Sequence, residues 1–114
     1  MAKFKELRVW QKAVDLAVEV YRLLEPVRDF GFKDQISRAA VSISSNIAEG
    51  HERVSKKDAV NFFRYAKGSA GEVRSQVHVG RRLGYFSLDS ATQLVRHCED
   101  VSRMLSALMR ANRC

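Results

Sequence analysis

Six basic side chains, Lys57, Arg64, Lys67, Arg74, Arg81 and Arg82, recur over a stretch that a single helix can span. Stepped at about 100° per residue from Lys57, all six fall on one flank between roughly 0° and −120°, with Lys56 and His78 among them. Hardly an acidic residue interrupts this arc, whereas a merely solvated face carries mixed signs. A stripe of one sign neutralises several phosphates at once and releases their counterions, so the chemistry it predicts is contact with a polyanion. No aromatic side chain lies within the arc, since Tyr65 sits on the other flank. Bases therefore have no stacking platform there, and binding through backbone charge is expected to show weak sequence preference.

Other reactive side chains form no recognisable constellation. Glu49, Asp58 and Glu72 are a conceivable carboxylate set for a nuclease or di-iron centre. The di-iron pattern requires Glu-x-x-His on two helices, and neither Glu49-Gly50-His51-Glu52 nor Glu72-Val73-Arg74-Ser75 supplies it. His51, His78 and His97 are dispersed, and adjacent helical residues such as His97 and Cys98 point about 100° apart, too far to chelate together easily. Lys67-Gly68-Ser69 lacks the order of a phosphate loop and follows no strand. No catalytic residue, metal ligand or cofactor is assigned. Glu72 and Gln76 lie one turn apart beside the apolar stripe of their helix, where they are expected to hydrogen-bond Asn46, Ser42 or a helix end inside the fold.

Four helices position these residues. In the first, about 8–25, Trp10, Val14, Ala17, Tyr21 and Leu24 share an apolar arc opposite Arg8, Lys12, Asp15, Glu19 and Arg22. Pro26 and the segment around Gly31 end it. The second runs from about 34 to 50, with Gly50 expected just past its C-terminus. Ser55 caps the third, about 56–83, with Asp58 three residues on; Ala59, Phe63, Ala66, Ala70, Val73 and Val77 then hold one phase. Gly84 ends it, and Ser87 caps the fourth, about 88–111, which carries Leu88, Ala91, Val95, Cys98, Val101, Leu105 and Leu108. Short connections make neighbours antiparallel, so the expected fold is all-α: a single-domain, up-down-up-down four-helix bundle spanning 1–114.

Gly68 and Gly71 fall inside helix three and point away from its apolar stripe, which favours close approach by another backbone, such as one across a subunit contact. Ala39–Ala48, AAVSISSNIA, contains no charge in a chain where 29% of residues are charged. An outer helix face without charge calls for a cover, either a second subunit or a partner, with Ser42, Ser45 and Ala48 as the candidate contacts.

The 114 residues carry 20 Lys and Arg against 13 Asp and Glu, a net charge of +7, and are sufficient for one core without cross-links. The N-terminal MAKFKELRVWQK has no apolar h-region, no run approaches a membrane span of about 20 residues, and two cysteines fit a reducing compartment. A cytoplasmic protein without a membrane partner is expected.

The string Ser45-Asn46-Ile47-Ala48-Glu49-Gly50, followed by Arg53, Ser55, Gly68-Ser69 and Glu72, resembles the bacterial 23S rRNA-intervening sequence proteins. Trp10-Gln11-Lys12-Ala13, Gln35-Ile36, Arg38-Ala39 and Leu83-Gly84-Tyr85 add to the likeness, which covers about residues 4–111. The resemblance implies a cytosolic four-helix bundle assembling into a homo-oligomer, with a pentameric ring as the expected form. It also implies kinship with the accessory variability determinant proteins of diversity-generating retroelements, which bind nucleic acid and a reverse transcriptase. Arg74 departs from the family pattern, in which an acidic residue often follows the helix-three glutamate soon after. The combined expectation is a non-enzymatic, oligomeric scaffold that binds RNA or DNA. The alternatives are a protein-interaction module without nucleic acid, or a metal-dependent nuclease or oxidase.

Overall fold

The computed structural model describes residues 3–112, so Cys114 lies outside the described residues. A 3-10 turn, Phe4–Glu6, precedes four helices: α1 Arg8–Leu24, α2 Phe30–His51, α3 Lys56–Arg82 and α4 Leu88–Ala111. No strand occurs among the described residues. The helices form a bundle of about 45 × 20 × 20 Å, in which each packs against its two neighbours in a ring ordered α1, α2, α3, α4. Along α2 and α3, Gly50 lies at Phe63, Ser42 at Ser69 and Phe32 at Gly80, so one chain direction rises as the other falls. The same antiparallel order joins α1 to α4, where His97 Nε2 lies 2.8 Å from the Lys12 carbonyl oxygen. The expected four-helix bundle is the observed fold.

The helix ends follow their local chemistry. Ser55 Oγ accepts from the Asp58 N–H, and Ser87 Oγ accepts from the Ser90 N–H, each relieving an unpaired first-turn donor. Gly84 adopts φ +82°, while Tyr85 N–H donates to Gly80 O and Gly84 N–H to Arg81 O, the paired bonds that close a helix through a left-handed residue. Helix α2 starts earlier than the sequence indicates. Asp29 Oδ1 accepts from the Phe32 N–H, so the cap sits five residues before Asp34 and Gly31 is helical.

Gly50 is also corrected: it is buried within α2, not beyond its end. A Cβ there would meet the Phe63 ring at 2.6 Å and Ala59 O at 3.1 Å, so its lack of a side chain permits α2 and α3 to close. Gly80 does the same at the other end, where a Cβ would lie 2.7 Å from Phe86 and 2.9 Å from Phe32. That end is tied further by Tyr85 Oη donating to Asp29 Oδ2 at 2.7 Å and by the edge-on contact of Phe32 with Tyr85.

Every member of the α3 stripe, Ala59 through Val77, is buried as its period requires. Leu16, Leu24, Ile36, Ile43, Ile47, Leu94 and Leu105 are the largest fully buried aliphatic side chains of the core, each contributing on the order of 1.5–3 kcal/mol by burial. Helix α1 enters the core in a different phase. Val9, Ala13, Leu16, Ala17, Val20 and Leu24 are buried, while Trp10 and Val14 are half-buried and Tyr21 is 55% exposed. Two adjoining apolar rows run along α1, and the compact aliphatic row takes the centre because it packs against the Ile and Leu side chains with fewer voids. On α4, Leu88, expected on the apolar stripe, is exposed, while Leu94 is core.

Candidate nucleic-acid interface

Helix α3 carries seven Lys and Arg residues against two acids, Asp58 and Glu72. All six predicted cations are exposed, but packing divides them into two rows. Lys57, Arg64 and Arg82 point straight outward on the helical projection, whereas Lys67, Arg74 and Arg81 turn toward α4. The outward row includes Gly68 and Gly71, both exposed, where an added Cβ would meet nothing within 4 Å. Arg64 donates to Asn61 Oδ1, which holds its side chain along the helix.

The row facing α4 lines a groove completed by Arg96 and Arg103, which reading one helix at a time does not single out. Two cavities lie along it. The first, about 310 Å³, has a floor of Ala91, Val95 and Leu88 and a rim of His78, Arg81 and Arg96. The second, about 320 Å³, is polar and is lined by Lys67, Arg74, Arg103, Ser102 and Ser106. Glu99 borders both, and its Oε2 lies 3.6 Å from Arg74 Nη1. Asp100 engages Arg103 and, at 3.6 Å, Lys12. Among the described residues, Lys57, Lys67, Arg81, Arg82 and Arg96 make no ion pair. The groove therefore keeps a positive excess, while Arg22 with Glu19 and Arg38 with Asp34 pair within their own helices on the other side.

The remaining predicted positions take other places. Ser42 Oγ donates to Ser69 Oγ at 2.6 Å, so Ser42 belongs to the α2–α3 seam and not to an outer contact. Asn46 Nδ2 donates to Ser42 O in its own helix, and Glu72 is exposed, so the expected internal bonds from Glu72 and Gln76 to these residues do not form. Gln76 Oε1 is buried without a partner. Ser45 and Glu49 are exposed and Ala48 is half-buried; Glu49 reaches Arg53 at 3.3 Å, and Arg53 in turn lies over the Phe62 ring.

The uncharged outer face is shared by α2 and α1. Lys33 Nζ donates to Glu25 O, which ties the start of α2 to the end of α1. Val18, Tyr21 and Val41 are 48%, 55% and 42% exposed on this side. Burial pushes the Cys98 thiol up to about 12, with nearby Arg74 opposing the shift, so it is a neutral core side chain and not a nucleophile. No three His, Cys, Asp or Glu side chains among the described residues come together in a way that could hold a metal ion.

No curated protein matches the chain by sequence. Its fold is similar to the crystal structure of a protein with unknown function from the S23 ribosomal protein family of Bacteroides thetaiotaomicron, with a TM-score of 0.83 at 23% identity over 89% of this chain and 97% of that one. A family model described as 23S rRNA-intervening sequence protein matches residues 5–107. On that match, which spans nearly the whole bundle, the chain belongs to the 23S rRNA-intervening sequence protein family.

Proposed function

We propose that this protein is a non-enzymatic, homo-oligomeric scaffold that binds nucleic acid through α3 and the adjoining face of α4. The observation that supports this reading best is the unpaired positive charge of Lys57, Lys67, Arg81, Arg82 and Arg96, concentrated on one side of the bundle. Such a surface gains affinity by displacing counterions from phosphates and requires no base-specific bond. Assembly rests on a separate feature, the uncharged α1–α2 face with Val18, Tyr21 and Val41 exposed. Gly68 and Gly71 present bare helix backbone at which a neighbouring subunit can approach closely. A five-membered ring, a cytoplasmic location and a reverse transcriptase as protein partner are the further expectations that the resemblance raises. No helix among the described residues is long and apolar enough to cross a membrane.

Titration of RNA and duplex DNA at several salt concentrations tests the nucleic-acid reading. Affinity should fall steeply as salt rises, and absence of binding at low salt would refute it. A single protein captured by a monomeric chain that binds no nucleic acid would instead favour an interaction module.

A further inference from the structure

The two α3–α4 cavities differ in chemistry although they adjoin at Glu99. The polar one offers Lys67, which has no ion pair among the described residues; Arg74 and Arg103, paired at its edge with Glu99 and Asp100; and two serine hydroxyls, a donor set suited to phosphate oxygens. Its neighbour offers an apolar floor of Ala91, Val95 and Leu88 below the guanidinium groups of Arg81 and Arg96. Leu88 is 66% exposed there, an apolar side chain that no packing within the chain explains. A duplex presents phosphates outward and keeps its bases stacked, so it uses the polar cavity and leaves the apolar one empty. An unpaired nucleotide matches both, because its base is a flat body with an exposed π-face and its phosphate is an anion one sugar away. A volume of about 310 Å³ lies at the small end for ligand pockets and suits one base. The Arg74 guanidinium beside Glu99 offsets the carboxylate that would otherwise repel the strand.

We propose that the α3–α4 groove takes single-stranded nucleic acid, seating one unpaired base against Leu88, Ala91 and Val95 while Lys67, Arg74 and Arg103 hold the adjoining phosphates. The proposal rests on the nucleic-acid reading of α3 and deepens it by naming the form of the ligand. Arginine planes and an aliphatic floor take the place of the aromatic platform that α3 lacks.

The test is fluorescence anisotropy of the full chain at low salt, with a labelled oligouridine strand and a labelled duplex of equal length. Thr92→Gln fills the apolar cavity with a polar, non-aromatic side chain from an exposed position, and Leu88→Asp places an anion against its floor in the first turn of α4, where the helix dipole favours acid. Each should weaken strand binding about tenfold, as expected for losing one stacked base, while duplex affinity stays within about twofold. If both variants bind the strand as the parent does, the base site is refuted and the phosphate stripe stands. If neither strand nor duplex binds, both readings fall. If the strand does not bind but an acidic leucine-rich peptide binds and Thr92→Gln abolishes that binding, the occupant is a protein segment and the proposal is overturned.

Discussion

The α1–α2 seam and the α3–α4 groove lie on opposite sides of one four-helix ring, yet the same packing problem leaves them with opposite surfaces. On the seam, Val18, Tyr21 and Val41 remain exposed beside small side chains. In the groove, five cations line two cavities, opposed by Glu99 at Arg74 and by Asp100 at Arg103. Apolar surface loses nothing by meeting a second protein surface, whereas an uncompensated row of cations resists one unless its partner is anionic. Under the proposed function, the seam serves assembly and the groove anion contact, and the bare outward face of α3 at Gly68 and Gly71 is a second candidate subunit contact.

Breaking this division should give effects of decreasing size. Tyr21→Glu with Val41→Glu places like charges on the seam, and light scattering should show subunits separating while the helical circular dichroism signal is retained; unchanged mass would remove the seam from assembly. Arg74→Glu with Arg81→Glu should lower nucleic-acid affinity at least tenfold and reduce the salt slope by about two, leaving oligomer size unaltered. A change in both readouts would mean that the two sides are not separable.

The glycines sharpen the comparison at the level of the fold. Gly50→Ala drives a methyl into the Phe63 ring and should destabilise the protein by about 1–3 kcal/mol in urea unfolding. Gly68→Ala and Gly71→Ala meet open space within the chain and should each stabilise a separated subunit by about 0.5–1 kcal/mol, through helix propensity. If the same two substitutions weaken assembly, the bare α3 backbone is part of a subunit contact.

The Tyr85 hydroxyl, with the Phe32 N–H, holds the Asp29 carboxyl below the ordinary carboxylate range. A depressed carboxyl stabilises the fold above its unfolded pKa, and that contribution is lost as pH falls through the folded value. Tyr85→Phe should therefore lower the melting temperature slightly near neutrality, and the difference should shrink in acid. A difference that persists in acid would trace to packing instead. Cys98 should stay unreactive toward a thiol reagent at neutral pH until the bundle unfolds, since burial keeps its thiol protonated.

Much of the scaffold was legible in the chain because local chemistry and period agree there. Ser55, Ser87 and Gly84 punctuate the helices where their hydrogen-bonding and φ preferences place them, and Ala59 through Val77 keep one phase. The α1 phase was not legible, because Trp10, Val14 and Tyr21 form an apolar row beside the aliphatic one, and only the three-dimensional partners choose between them. Gly50 resembles a terminator until Phe63, thirteen positions later, is seen to occupy the space of its side chain. The cations of α3 were visible as a stripe. Their separation into outward and groove rows, and the addition of Arg96 and Arg103, depends on how α4 packs alongside.

The division between the two sides is tested most directly by light scattering on the purified protein across a salt series, with absorbance at 260 and 280 nm recorded on the same peak. An oligomer whose mass persists at high salt while its nucleic-acid absorbance disappears is the predicted result. A monomer free of nucleic acid at low salt, or an assembly that dissolves together with its nucleic acid, would contradict it.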